Sequence, residues 1–186
     1  MSELLALGIS HRTAPLELRE RLALTEGRAA GVLNQLRAAE QVQEATALST
    51  CNRTELYLVV SDPVEAESAA LGVLAREADI RPTELVGHLY SLRSSEAAKH
   101  LFRVTAGLDS MILGEVEIQG QVKRAYELAL VEGSTGPILN RLFRGALAAG
   151  KRVRTETAVS EKGVSIPSVG VVASGGSSSS RGFSIW

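Results

Sequence analysis

Cys51 is the sole cysteine of this 186-residue chain, and it stands in the polar run Ser49-Thr50-Cys51-Asn52-Arg53-Thr54-Glu55. A lone cysteine is commonly a small buried apolar residue. Here its neighbours are Thr50, Asn52 and Arg53 rather than apolar side chains. It also falls at an expected bend between two strands, where a side chain can face a cleft. An Arg53 guanidinium folded back towards the sulfur would favour the thiolate. Residue type and position therefore make Cys51 a candidate nucleophile, with the packed core thiol as the plain alternative.

A thiol nucleophile works with a proton carrier and with groups that steady the electrophile. The histidines are His11, His88 and His100. His100 follows Lys99 on an amphipathic helical stretch and is the best placed by type, although a helical histidine is also commonly a half-exposed surface residue. The segment 107–114, GLDSMILG, leads into Glu115, Val116 and Glu117. Glu117 and Gln121 are spaced i,i+4, which puts them on one helix face. Such a pair could read an amino group and a carboxylate, and a solvated helix face has the same pattern. Arg141, Arg144, Lys151, Arg152 and Arg154 fall in a stretch with no acid before Glu156. That local basic surface could meet phosphates or the acids of a neighbouring domain. The cysteine and the scattered histidines have no metal-ligand spacing. Neither a G-x-G-x-x-G turn nor a G-x-x-x-x-G-K-[ST] loop occurs, so no nucleotide-binding fingerprint is present.

The elements that must position these residues follow from apolar periodicity and punctuation. Residues 4–9 read as a buried strand, and Pro15 makes 11–15 a loop. Thr25 caps a helix whose apolar positions are Ala29, Ala30, Leu33 and Leu36. Residues 45–50 and 56–61 read as strands joined tightly through Cys51. Pro63 sits in the first turn of a helix to about Ala78, and 79–82 breaks it. Residues 86–92 are a weaker strand, and Ser94 or Ser95 caps a helix to about Thr105. Helices over about 116–131 and 137–157 follow, the first ended by Gly133 and the second begun by Pro137. The order strand, helix, strand, strand, helix, strand, then three helices predicts an α+β fold. Its expected form is a ferredoxin-like split βαβ sandwich extended by a helical subdomain. The stretch 173–182, ASGGSSSSRG, has linker composition, so a flexible or irregular tail is expected after about Ser165.

Composition sets the outer limits. Apolar residues make up 45% and charged residues 22%, the balance of a soluble globular domain. Aromatics are only 4%, so the core must rest on Leu, Val, Ile and Ala. A net charge of −1 gives no global attraction to nucleic acid, so any polyanion site must be a local patch. One cysteine fits a reducing compartment. No secretory leader and no apolar run of membrane-spanning length is visible, which gives a cytoplasmic expectation and no membrane partner.

Taken together the polar blocks resemble glutamyl-tRNA reductase, the first committed enzyme of five-carbon tetrapyrrole (porphyrin) synthesis. The likeness runs through GISHRTAPLELRE at 8–20 and ALSTCNRTELY at 47–57. It continues in HLFRVTAGLDSMILGEVEIQGQVKRAY at 100–126 and LNRLFRGALAAGKRVRTET at 139–157. The resemblance implies that Cys51 attacks the ester carbonyl of glutamyl-tRNA(Glu) and keeps the glutamyl group as a thioester. His100 would assist by proton transfer or by orienting the reacting groups. Thr50, Asn52 and Arg53 would line the glutamate pocket, with the planar fork of Arg53 suited to a carboxylate. Ser110, Glu115, Val116, Glu117 and Gln121 match the family's other substrate-contacting positions. In the full-length family enzyme NADPH then reduces the thioester to glutamate 1-semialdehyde. The resemblance also implies a homodimer and glutamate-1-semialdehyde aminomutase as a partner. On this reading 1–157 is the catalytic, glutamyl-tRNA-binding domain, 158–172 begins a connecting segment, and 173–186 is a Ser/Gly tail. The nicotinamide-binding and dimerisation domains are expected to be missing from the chain.

Overall fold

Period-two alternation along the central strands buries both faces of one sheet. In β3 (Arg53–Val60), Leu56, Leu58 and Val60 pack to one side while Tyr57 and Val59 pack to the other. In β1 (Glu3–Ser10), Leu5, Leu7 and Ile9 share the first side and Ala6 the second. A strand buried on both faces reads as a near-continuous apolar run, which is what Leu56-Tyr57-Leu58-Val59-Val60 is.

The computed structural model describes residues 2–157. The remaining elements are α1 (Leu16–Leu22), α2 (Glu26–Arg37), β2 (Val42–Thr50), α3 (Pro63–Ala78), α4 (Pro82–Val86), β4 (Tyr90–Arg93), α5 (Ser94–Thr105), α6 (Ile118–Val131) and α7 (Pro137–Glu156). The four strands form one sheet in the order β2-β3-β1-β4, and every neighbouring pair is antiparallel. β1 and β2 thus run the same way with β3 between them, and β3 and β4 run the same way with β1 between them. This is the expected split βαβ arrangement. Leu22, Leu33, Leu36, Val73, Leu74 and Leu85 of α1–α4 cover the first face. Leu101 and Val104 of α5, Ile118 and Val122 of α6, and Leu139 and Phe143 of α7 cover the second. The helical extension is therefore a second layer over the sheet.

Side-chain caps mark the starts of α2 and α3. The Thr25 hydroxyl accepts from Arg28 N at 3.4 Å, as expected of an N-cap. Asp62 accepts from Val64 N and Glu65 N ahead of Pro63, and Asp79 ends α3 in the left-handed region at φ 52°. The α7 N-terminus has no local side-chain cap. Glu44, beside an irregularity in β2, reaches it instead: Oε1 accepts from Ile138 N at 3.1 Å and Oε2 from Leu139 N at 2.7 Å.

Some elements differ from the expectation. α1 has only Leu18 and Leu22 as inward anchors, too few to show a helical period. Pro82 starts the short helix α4 rather than only breaking α3, because proline suits a first helical turn. That helix takes Val86, so β4 is confined to Tyr90–Arg93. Neither serine caps α5: the N-cap position is Arg93, and Ser94 has φ 49° with its hydroxyl on Glu3 at 3.1 Å. α6 begins at Ile118 because 107–114 closes on itself, with Gly114 N donating to Gly107 O at 3.0 Å and both glycines at positive φ. The expected connecting segment and Ser/Gly tail lie outside the described residues.

Candidate active site

Thr50 pairs with Arg53 across the β2–β3 hairpin, so Cys51 and Asn52 form its two-residue turn. The Thr50 hydroxyl accepts from Asn52 N at 3.1 Å, and the Asn52 carbonyl accepts from His11 N at 2.8 Å. Arg19 Nη1 donates to the Cys51 carbonyl at 2.7 Å. The turn is thus tied to the loop after β1 and to α1. Cys51 itself is exposed and free, which removes the packed-core alternative.

The electrostatics at the sulfur differ from the simplest expectation. Burial of part of the thiol pushes its pKa up, and the Glu115 and Glu117 carboxylates push it further. The backbone and Arg19 oppose this without reversing it. Arg53 does not fold back onto the sulfur. Its side chain is buried, donating from Nη1 to Glu55 Oε1 at 2.7 Å and from Nη2 to the Asp109 carbonyl at 2.5 Å and to Asp109 Oδ2 at 3.1 Å. Its fork is therefore already filled by two carboxylates of the chain, and a substrate carboxylate there would compete with Asp109. Asp109 is also paired with Arg12 at 3.0 Å.

Glu55 is the hub of this network and is fully buried. Period two puts Arg53, Glu55 and Tyr57 on the sheet face that meets α5. His100 Nε2 lies 2.9 Å from Glu55 Oε1, Tyr57 Oη donates to Oε2 at 2.6 Å, and Tyr90 Oη donates to Oε1. Burial alone would raise the Glu55 pKa. The His100 hydrogen bond and the Arg53 charge outweigh it and bring the carboxyl down to about 2. Burial and the Glu55 charge conversely push the Tyr57 and Tyr90 hydroxyls up, so both stay protonated donors.

The remaining expected residues fall into three places. Ser110 hydrogen-bonds the buried Glu115, whose pKa burial raises and which also feels the Arg53 charge. Glu115 thereby stands within electrostatic reach of both the sulfur and the Arg53 network. Glu117 is exposed at the α6 N-cap, and the exposed Val116 offers its carbonyl to Arg154. Gln121 lines a separate cavity of about 200 Å³ with Ser49, Glu26 and Arg124, and its buried Oε1 has no partner. His100 and Asp109 line a groove of about 770 Å³ together with Ser10, Arg12, Tyr90 and Phe102; Cys51 is not among its walls. On α7, Arg152 pairs with Glu156 at 3.0 Å and Arg144 Nε donates to Tyr126 Oη at 3.3 Å, so part of that basic surface is engaged within the domain.

Sequence reasoning passed over Glu55, Tyr57, Tyr90 and His11. The alternation Arg53-x-Glu55-x-Tyr57 within a strand was the available sign for the first two. His11 sits beside Asn52; burial and the Arg53 and Arg12 charges lower its pKa, and its Nδ1 is buried without a partner. Among the described residues no group of three or more His, Cys, Asp or Glu suits a metal ion, and no helix is long and apolar enough to cross a membrane. The sheet is antiparallel throughout, so these residues offer no crevice at parallel strand ends of the kind that holds a dinucleotide.

Comparison with known proteins agrees with the polar blocks. The family profile described as "Glutamyl-tRNAGlu reductase, N-terminal domain" matches residues 7–157. A glutamyl-tRNA reductase of Rubrobacter xylanophilus is 49% identical over 162 residues, covering 87% of this chain and 38% of that protein. One of Deinococcus radiodurans is 44% identical over 171 residues, covering 91% of this chain and 45% of that protein. The solved structure of glutamyl-tRNA reductase from Methanopyrus kandleri superposes with a TM-score of 0.71 at 34% identity, covering 92% of this chain and 39% of that one. The chain spans about two-fifths of the length of these relatives, and it belongs to the glutamyl-tRNA reductase family through the N-terminal domain.

Proposed function

We propose that this domain binds glutamyl-tRNA and takes its glutamyl group onto Cys51 as a thioester. The observation that carries the reading is an exposed lone thiol on a hairpin turn, within reach of two carboxylates and flanked in sequence by the start of a buried Arg53–Glu55–His100 network. The ester of glutamyl-tRNA brings an ammonium group close to the carbonyl that is attacked. Glu115 and Glu117 suit that ammonium. Its charge would offset theirs, which relieves the suppression of the thiolate only when substrate is in place.

In the step itself the Cys51 Sγ–carbonyl carbon bond forms, and the bond from that carbon to the ribose oxygen breaks. The thiol proton leaves sulfur and the ribose oxygen gains one, so a proton carrier is needed. His100 fills that role on this reading. Ser110 steadies Glu115, while Thr50 and Asn52 hold the turn that presents the sulfur. The fuller reaction of the family, reduction with NADPH, is not assigned to these residues on this reading.

The test is intact mass after mixing with glutamyl-tRNA. One glutamyl residue should add to the wild type and none to Cys51→Ser. Wild type without an adduct, yet still retaining tRNA, would leave a binding module that turns nothing over.

A further inference from the structure

We infer that Glu55 is a positioning residue for His100: it takes the Nε2–H as a hydrogen bond and leaves Nδ1 as the nitrogen free to accept a proton. The inference rests on the reading that Cys51 forms a thioester with help from His100.

The geometry carries it. Glu55 Oε1 is met by Arg53 Nη1 at 2.7 Å, His100 Nε2 at 2.9 Å and the Tyr90 hydroxyl, and Oε2 is met by the Tyr57 hydroxyl at 2.6 Å. A carboxylate met by the Arg53 guanidinium and by two tyrosine hydroxyls is ionised and can only accept. The nitrogen of His100 that faces it must therefore carry the proton. In the neutral imidazole the other nitrogen, Nδ1, then has a lone pair. The ring plane is held as well: Tyr90 packs edge-on against His100, with centroids 5.4 Å apart at 66°. His100 remains partly open on the 770 Å³ groove, so the fixed ring is reachable from solvent. When His100 takes a proton, the imidazolium forms against a carboxylate already in hydrogen-bond contact. A purely structural Glu55 would need only Arg53 and the two tyrosines. The contact with a groove-lining histidine is what the structural role leaves unexplained.

The experiment uses protein labelled with 15N at histidine and long-range proton–nitrogen correlation at neutral to alkaline pH, with His100 assigned by loss of its peaks in His100→Gln. The wild type should show His100 protonated at Nε2 and bare at Nδ1. In Glu55→Gln the amide presents a donor in place of one acceptor oxygen, so the Nε2–H form should lose its dominance. Thioester formation should slow by about 100-fold or more while glutamyl-tRNA affinity holds. A wild type protonated at Nδ1 overturns the inference, and that spectrum needs no variant to fold. A Glu55→Gln protein that keeps the wild-type tautomer overturns it too, as does a changed tautomer with an unchanged thioester rate. Absence of any thioester in the wild type would instead overturn the underlying reading and leave the tautomer assignment standing.

Discussion

Gly8 faces Glu55 across the β1–β3 ladder, and the stem of that glutamate occupies the space a Gly8 side chain would need. A Cβ at Gly8 would stand 2.5 Å from the Thr54 carbonyl oxygen and 2.9 Å from both Cα and Cγ of Glu55. On its other side Gly8 pairs with Tyr90, which also bonds Glu55. The glycine is the gap through which the buried carboxylate reaches its partners.

Gly8→Ala should therefore cost stability and disturb the network together. Overpacking against backbone typically costs about 1–3 kcal/mol. Urea denaturation should show a lower midpoint with an unchanged slope, and thioester formation should fall further than unfolding explains. A variant as stable and as active as wild type would show that β1 can shift freely away from Glu55.

The suppressed thiolate of Cys51 should be visible in its chemistry. An ordinary cysteine titrates near ~8.5, and here burial and the carboxylates of Glu115 and Glu117 push the thiol upward. Alkylation by iodoacetamide, read at the sole cysteine, should rise with pH later than for a free thiol. Glu115→Gln removes a like charge and should shift that profile to lower pH. A profile that stays in place would separate Glu115 from the sulfur.

Glu55 should make stability fall in acid. Its folded pKa of about 2 lies below the ~4.3 of an unfolded glutamate, so the unfolded chain binds the proton first. The contribution is complete above the unfolded value and is lost as pH falls through the folded one. Glu55→Gln should flatten the pH dependence of the denaturation midpoint in that window. Arg53→Met should destabilise the protein more, by roughly 3–5 kcal/mol, because it leaves Glu55 buried without its charged partner. Equal midpoints for Arg53→Met and wild type would mean that Tyr57, Tyr90 and His100 suffice.

The α7 surface should contribute to tRNA affinity if phosphates meet it. Reversal of Arg141, Arg144 and Arg152 to Glu should weaken binding and flatten its dependence on salt. Arg152 already pairs with Glu156, so its reversal also sets two acids one turn apart. Unchanged affinity and salt slope would assign this face to contacts with protein instead.

Much of this domain is legible in its residues taken in order. Thr25 and Pro63 mark helix starts, Gly133 marks a helix end, and the strand–turn–strand around Cys51 follows from apolar runs broken by a polar block. These are local matters of capping, backbone freedom and periodicity, and a short window contains their causes. The alternation of β3 even puts Arg53, Glu55 and Tyr57 on one face. What the order of residues leaves open is which partner that face meets. Arg53 could have bent towards the sulfur two residues away; the fold turns it inward to Glu55 and to Asp109, 56 residues on. His100 could have been a surface residue of an amphipathic helix; packing of α5 on the sheet sets it against Glu55, 45 residues back in the chain. Burial and charge pairing are decided by elements distant in sequence, and a buried charge settles wherever its partners converge. The candidate nucleophile was therefore visible in the sequence, while the network that starts two residues after it belongs to the tertiary structure.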